Sequence, residues 1–302
     1  ECDWDHVTMY ERLASVVRSQ GQAVGIVGEP GIGKSRLLFE LRESLGAEPV
    51  RYLQGHCFSF ASNTPYLPIV ETVRTLCELS DTDSAAAAGE KVRASLAAIG
   101  VAADDGLVYL LDLLGLGEPV DLLEARSPDT IRTRTFDLLR RLYVSLSQER
   151  PLILAVEDLH WIDKTSEEFL ASLVEHLPTS RILFVATYRA GYRPSWVEKS
   201  YTTQIALPSL SPEESQGLLD SVLPPDRLPQ SLAPIILAKA EGNPFFLEEL
   251  ARAVSRDTDA RTITVPDTIE DVLMTRIHQL PAEARRLLQL ASVCGREMSR
   301  PL

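Results

Sequence analysis

An eight-residue stretch near the N-terminus constrains this chain more than any other feature. It satisfies the pattern G-x-x-x-x-G-K-[ST] at every fixed position, as Gly28-Glu29-Pro30-Gly31-Ile32-Gly33-Lys34-Ser35. In this P-loop pattern the glycines let backbone N–H groups converge on phosphate oxygens, and the positive end of the next helix points to the same place. The lysine can reach the β- and γ-phosphates, and the serine hydroxyl can ligate Mg²⁺. The stretch therefore predicts a site for the phosphates of a nucleotide.

The residues on both sides of the loop fit the same interpretation. Ala23–Val27 is an apolar run typical of a buried strand, and an apolar stripe typical of a helix begins at Arg36. Strand, glycine-rich loop and helix is the order in which this motif occurs. The alternative, a turn that is rich in glycine and proline by chance, explains the loop but not its flanks.

Five short segments, most of them apolar and β-branched, are predicted as strands with helical patterns between them. They are Ala23–Val27, Val50–Gln54, Leu152–Val156, Ile182–Ala186 and Thr203–Leu207. This alternation is typical of an α/β fold, in which a parallel sheet carries helices on both faces. The long stretch 66–148, between the second and third strands, is predicted to be mainly helical.

Two acidic residues, Glu157 and Asp158, follow the apolar strand 152–156. At the end of a strand next to the loop, one acid can hold Mg²⁺ beside Ser35, and the other can orient or deprotonate a water molecule. The magnesium-side acid is usually Asp, whereas the first acid here is Glu, so both residues are candidates for both roles. Two surface acids after a core strand are the alternative interpretation.

Other candidate positions carry weaker signals. Arg189 follows the strand 182–186, and if that strand lies between the other two, Arg189 lies beside the γ-phosphate. Otherwise it is a surface arginine. The segment Glu241-Gly242-Asn243-Pro244 is by itself typical of a helix end followed by a breaker. His160 and Trp161 are interpreted as packing residues or neighbours of the site.

Composition argues against several classes of protein. The formal net charge is −13, and broad contact with a nucleic-acid backbone needs a clustered basic surface, so direct nucleic-acid contact is not expected. No apolar run has the length of a membrane span and no signal-peptide pattern is present, which predicts a cytoplasmic protein without membrane contact. The four cysteines are scattered, which favours reduced thiols over disulfides or a metal site.

Four separated segments together resemble the AAA/STAND-type ATPase domain attached to bacterial class III adenylate or guanylate cyclases and to large LuxR-type transcription regulators. They are GIVGEPGIGKSRLL (25–38), LAVEDLHWID (154–163), ATYR (186–189) and AEGNPFFLEEL (240–250), in the family's order. One departure is clear. Where the family usually opens with Gly-Arg-Glu, this chain has Asp3-Trp4-Asp5-His6.

The resemblance implies a P-loop NTPase three-layer sandwich whose parallel sheet has the order 5-1-4-3-2. It further implies a P-loop core over residues 1–210, a helical lid over 211–260, and the start of a winged-helix or helical domain over 261–302. In such a fold Arg189 is the arginine that senses the γ-phosphate, and Pro244 packs against the adenine.

The resemblance also implies a set of site residues for ATP or ADP with Mg²⁺. The catalytic candidates are Lys34, Glu157, Asp158 and Arg189. The metal candidates are Ser35, Glu157 and Asp158. The nucleotide-binding candidates are Gly28, Glu29, Pro30, Gly31, Ile32, Gly33, Lys34, Ser35, Arg36 and Pro244.

Three functions follow as hypotheses. The first is an ATP-binding, slowly hydrolysing switch that controls an attached output domain and forms an ATP-dependent homo-oligomer. The second is a scaffold that binds ATP or ADP without hydrolysis. The third, a small-molecule kinase, is disfavoured by the pattern after residue 207. Arg132, Arg134 and Arg193 are only guesses for an arginine finger.

Overall fold

The structure is a computed structural model that describes residues 2–46, 48–98, 100, 103–116, 126–223, 232–256 and 268–294. The chain divides into two compact units. The first consists of Glu1–Glu29 and Lys34–Leu207, and the second of Pro30–Gly33 and Pro208–Leu302.

The first unit is built around a five-stranded parallel sheet. Its strands are β1 (Gln22–Val27), β2 (Arg51–His56), β3 (Leu152–Glu157), β4 (Ile182–Tyr188) and β5 (Thr202–Ala206). All five predicted strands are confirmed, with boundaries shifted by up to two residues. The prediction ended β2 at Gln54 and β4 at Ala186, whereas the backbone ladder continues through His56, opposite Glu157, and through Tyr188, opposite Val27.

The order of the strands is β2-β3-β4-β1-β5, and every pair is parallel. Read from the other edge this is 5-1-4-3-2, so the predicted α/β P-loop NTPase sheet is confirmed. Strand β4 lies between β1 and β3, which brings the carboxyl ends of these three strands together. In open α/β sheets ligands bind outside the carboxyl ends, where the strand order reverses.

Helices cover both faces of this sheet. The helices of the first unit are α1 (Cys2–Val17), α2 (Lys34–Ser44), α3 (Leu67–Leu76), α4 (Ala85–Ala98), α5 (Ala103–Leu113), α6 (Pro128–Glu149) and α7 (Lys164–Glu175). The side chains of β3 alternate between two apolar cores. Leu154 and Val156 pack with α6 and α7, and Ile153 and Ala155 pack with α1 and α2. Strands β3 and β4 are buried at every residue, as expected for the centre of a parallel sheet covered on both faces.

The described part of the second unit is helical from residue 212 onward. Its helices are α8 (Pro212–Val222), α9 (Ala233–Ala240), α10 (Pro244–Arg256), α11 (Ile269–Gln279) and α12 (Ala282–Cys294). Ser211 caps the start of α8 in a capping box with Glu214. Leu219, Ile236 and Leu247 belong to the small core of this unit. The predicted boundary at 260/261 lies outside the described residues, and the assignments of a lid and a winged-helix start remain predictions.

Cys57 and Cys77 are buried free thiols. Within the described ranges, no helix is both long and apolar enough to cross a membrane.

Candidate functional site

The backbone of the loop explains two of its glycines. Gly31 has a φ of 79° and Gly33 a φ of 108°. Side chains with a Cβ rarely adopt this left-handed region, whereas glycine enters it at little cost. The loop can therefore turn sharply and lead directly into α2, which begins at Lys34.

Lys34 folds back onto the start of the loop. Its Nζ donates hydrogen bonds to the carbonyl oxygens of Gly28 and Glu29, at 2.8 and 2.9 Å, and only 8% of the residue is exposed. Burial lowers the pKa of this ammonium, Asp158 opposes that shift, and Arg189 adds to it. The lysine is thus held by two carbonyl groups that a phosphate can replace.

Ser35 meets Glu157 at the carboxyl end of β3. The Ser35 hydroxyl donates a hydrogen bond to Oε2 of Glu157, a residue that is 8% exposed. A hydroxyl and a carboxylate side by side are hard oxygen donors of the kind that Mg²⁺ accepts together with water and substrate phosphates. The donor set therefore fits the metal that the loop motif predicts.

Two other residues of the first unit, Gln54 and His56, contact Glu157, and a third, Glu71, contacts His56. None of the three was predicted from the sequence. Gln54 Nε2 donates to Glu157 Oε1 at 2.5 Å, and His56 Nε2 lies 3.5 Å from the same oxygen. Glu71 accepts from the His56 backbone N–H at 2.7 Å and lies 3.0 Å from His56 Nδ1. Gln54 and His56 are two positions apart on β2, the strand that pairs with β3. This i, i+2 pattern of polar residues, on a strand next to the acidic one, is the signal from which the two residues could have been predicted.

The hydrogen bonds keep Glu157 ionised. Burial alone raises the pKa of this carboxyl group, but the hydrogen bonds from His56, Ser35 and Gln54 outweigh it, so the pKa lies below its usual value. The hydrogen bonds of His56 to Glu157 and, second in size, to Glu71 raise the pKa of its imidazole to about 9. The carboxylate is thus available for a cation at neutral pH.

Asp158 is positioned by the backbone. It has a left-handed conformation, with φ 57° and ψ 42°, and its N–H donates to Thr187 Oγ1 of β4 at 3.0 Å. Among the charged neighbours that shift the pKa of Lys34, Asp158 has the largest influence. The charge of Asp158 therefore favours the protonated form of the loop lysine.

Arg189 directly follows β4, at the carboxyl end of the strand, where it was predicted. Its Cζ lies 4.8 Å from the ring centroid of Trp161, and its charge lowers the pKa of Lys34. Trp161 ends the short 3₁₀ turn Leu159–Trp161 directly after Asp158. The structure places Arg189 near Lys34, while its role toward phosphate remains a prediction.

The other arginine candidates lie on exposed faces. Arg36 forms an ion pair with Glu40, and 71% of its side chain is exposed. Arg132 pairs with Glu168 at 2.7 Å. Arg193 pairs with Glu198, and both side chains are about three-quarters exposed, at 74% and 78%. A contact between Arg36 and phosphate stays a prediction.

Within the second unit, Asn243 joins the loop residues to α10. Its Nδ2 donates to the Pro30 carbonyl at 2.8 Å, and its Oδ1 accepts from the Phe246 N–H at 3.2 Å. Gly242 has a φ of 74°, and a Cβ there would lie 2.5 Å from the Leu210 carbonyl oxygen. Pro244 is the first residue of α10. Its predicted contact with adenine is not tested by this geometry.

Comparison with known proteins agrees with this arrangement. A sequence profile of the AAA ATPase domain matches residues 7–185. The chain belongs to the AAA ATPase domain family. The matched residues include the P-loop and the acidic pair Glu157-Asp158.

Two similar proteins place this AAA module in context. An uncharacterized protein of Rhizobium meliloti (strain 1021) is 28% identical over 299 residues, which are 95% of this chain and 29% of that protein. The chain thus spans less than a third of the length of this curated relative. A chain in the structure of Drosophila ORC bound to DNA has a TM-score of 0.47 at 12% identity, covering 95% of this chain and 66% of that chain.

Proposed function

We propose that this AAA module binds ATP with Mg²⁺, hydrolyses it slowly, and so controls an attached output domain such as a cyclase or a transcription regulator. The observation that carries the proposal is the hydrogen bond between Ser35 and Glu157, which lies beside the loop that Lys34 contacts. A P-loop without a second metal-binding oxygen is a phosphate cradle only, whereas this pair supplies both oxygen donors.

Each residue has a distinct task in this proposal. Lys34 exchanges the carbonyls of Gly28 and Glu29 for the β- and γ-phosphates, with which it forms charge-assisted hydrogen bonds. Ser35 and Glu157 would hold Mg²⁺, which when bound would neutralise charge on the phosphate oxygens. Asp158 orients the attacking water and accepts its proton.

The proposal of an attached output domain rests on length and resemblance. The chain corresponds to 29% of its Rhizobium relative, so a similar module there is one part of a longer protein. ATP-dependent homo-oligomerisation, a cytoplasmic location and an adenine contact by Pro244 belong to the same proposal.

A second candidate function is binding of ATP or ADP without hydrolysis. The specific observation in its favour is that Ser35, Gln54 and His56 all contact the Glu157 carboxylate, which is also the first acid of an unusual Glu-Asp order. If these contacts persist when nucleotide binds, Glu157 has less capacity for metal. Tight ADP occupancy with no turnover is the behaviour this candidate predicts.

One experiment separates the two functions. Nucleotide affinity and ATP turnover are measured with and without Mg²⁺ for the wild type, Lys34→Ala and Asp158→Asn, with Lys199→Ala as a control lysine outside the site. The proposal expects Lys34→Ala to lose affinity and turnover, and Asp158→Asn to lose turnover alone. A wild type that binds ATP but shows no more turnover than Asp158→Asn supports the scaffold instead. Equal affinity in the wild type and Lys34→Ala contradicts both.

A further inference from the structure

Arg189 is held by an aromatic ring instead of a carboxylate. In the described part of the chain no carboxylate forms an ion pair with Arg189, and its side-chain contact is the Trp161 ring at 4.8 Å. Arg36 differs, because it lies over the Phe39 ring and is also paired with Glu40. Trp161 thus orders Arg189 without neutralising its charge.

An aromatic ring suits a cation that must later bind an anion. The ring attracts the flat face of the guanidinium, while the N–H groups point outward in its plane and stay free for phosphate oxygens. A carboxylate in place of the ring would occupy those N–H groups, and the ion pair would have to break before phosphate could bind. Trp161 therefore orders Arg189 at no cost to its capacity for hydrogen bonding.

The position of Trp161 is fixed by its surroundings. Its backbone N–H donates to the Asp158 carbonyl at 2.9 Å, and this hydrogen bond closes the 3₁₀ turn after the acidic pair. Its ring packs against the main apolar core, and the His160 ring lies 4.4 Å away. Asp163 then starts α7 by accepting from the Ser166 N–H at 2.9 Å. The ring is thus anchored to the same turn that positions Asp158.

We propose that Trp161 is a positioning residue that keeps Arg189 ordered for the γ-phosphate and so sets the preference of the site for nucleoside triphosphate over diphosphate. The inference rests on the proposed function, because it requires that nucleotide binds at the P-loop. An arginine that is already ordered loses less conformational freedom when it binds phosphate. ADP has no γ-phosphate, so its affinity is expected to be independent of Trp161.

The test is a comparison of affinities for Mg²⁺–ADP and for Mg²⁺ with a non-hydrolysable ATP analogue, by calorimetry. We expect Trp161→Leu to weaken binding of the analogue by about three- to tenfold, the size of a cation–π contact, and to leave ADP affinity unchanged. Trp161→Phe keeps a ring and should restore most of the loss. In an Arg189→Met background, Trp161→Leu should have no further effect. Trp196→Phe, at a buried core position, is the control.

Other results overturn the inference. Equal weakening of both nucleotides by Trp161→Leu, tighter binding of the analogue, or a full effect in the Arg189→Met background each contradicts it. If Trp161→Leu does not fold, the fluorescence of Trp161 in the wild type tests the inference instead. The triphosphate analogue should change the fluorescence of Trp161, identified by its loss in Trp161→Phe, and ADP should not. Failure of the wild type to bind either nucleotide, by contrast, contradicts the proposed function itself.

Discussion

Ser35 and Glu157 are 122 positions apart in the sequence, and the serine hydroxyl donates a hydrogen bond to the carboxylate. The contact exists because β1, β4 and β3 are parallel neighbours in the sheet, so that the loop after β1 and the end of β3 lie at the same, carboxyl-terminal side of the sheet. The two oxygen donors are therefore brought together by the topology and do not depend on a local motif.

Replacement of Glu157 by Gln should separate metal binding from nucleotide binding. The amide keeps the size of the side chain but removes the charge, so we expect a loss on the order of ten- to a hundredfold in Mg²⁺ affinity in the presence of nucleotide. Binding of nucleotide without Mg²⁺ should change little. Titration of Mg²⁺ into the nucleotide complex measures this, with the exposed Glu198→Gln as control. Unchanged Mg²⁺ affinity in Glu157→Gln would remove Glu157 from the metal site.

Gly55 should be needed for the stability of the edge strand β2. A Cβ at this position would lie 2.2 Å from the backbone oxygen of Pro68, and a backbone atom cannot move aside as a flexible side chain can. We expect Gly55→Ala to lower the free energy of unfolding by about 1–3 kcal/mol, the usual cost of overpacking.

Gly89 provides the matched control for Gly55. It lies inside helix α4, and among the described residues no neighbouring atom lies within 4 Å of the place that an alanine Cβ would occupy. Gly89→Ala should raise the free energy of unfolding by about 0.5–1 kcal/mol, because alanine favours a helix interior. Urea unfolding followed by circular dichroism compares the two variants. A Gly55→Ala protein as stable as Gly89→Ala would contradict the packing described for β2.

The sequence was sufficient to predict the sheet because most of its strands are short apolar runs with helical patterns between them. The site was predictable only where a motif names its residues, as with Lys34 and Ser35, or where strand order follows from resemblance, as with Arg189. Glu71 could not be found in this way, because its contact with His56 depends on the packing of α3 against β2. The sequence left Trp161 either as a packing residue or as a neighbour of the site, since a ring next to an acidic pair gives no sign of the cation above it.

Gly33 should affect nucleotide binding through backbone conformation alone. Its φ is 108°, and in the described part of the chain no neighbouring atom lies within 4 Å of a Cβ built there, so alanine introduces strain but no clash. A strained residue of this kind costs about 1–3 kcal/mol, which the loop can relieve by moving its N–H groups away from the phosphates. We expect Gly33→Ala to weaken nucleotide affinity by roughly tenfold or more.

Gly46 tests whether that loss is specific to the loop. It also has a positive φ, 49°, and open space around a Cβ as far as the described residues extend, but it follows the end of α2. Gly46→Ala should cost stability and leave nucleotide affinity as in the wild type. Calorimetric titration with ADP measures both variants. If the two glycine substitutions weaken ADP binding equally, the effect comes from general destabilisation and the loop geometry is not its cause.

Asn243 makes two separable contributions within the second unit. Its Oδ1 caps α10 by accepting from the Phe246 N–H, and its Nδ2 donates to the Pro30 carbonyl. Asn243→Ala removes both, and loss of the cap should lower the free energy of unfolding by about 1 kcal/mol. Asn243→Ser keeps a cap acceptor but is too short to reach Pro30. We therefore expect the serine variant to have near wild-type stability and the alanine variant not to.

The hydrogen bond to Pro30 should be visible in hydrogen exchange. Without it, the amides of Gly31 to Gly33 lose one of the contacts that fix their backbone, so both Asn243→Ala and Asn243→Ser should exchange faster there. Only the alanine variant should also exchange faster at Phe246, because only it loses the cap. Protection of residues 31–33 that is unchanged in the serine variant would show that the loop keeps its left-handed conformation without Asn243, and that the asparagine serves α10 alone.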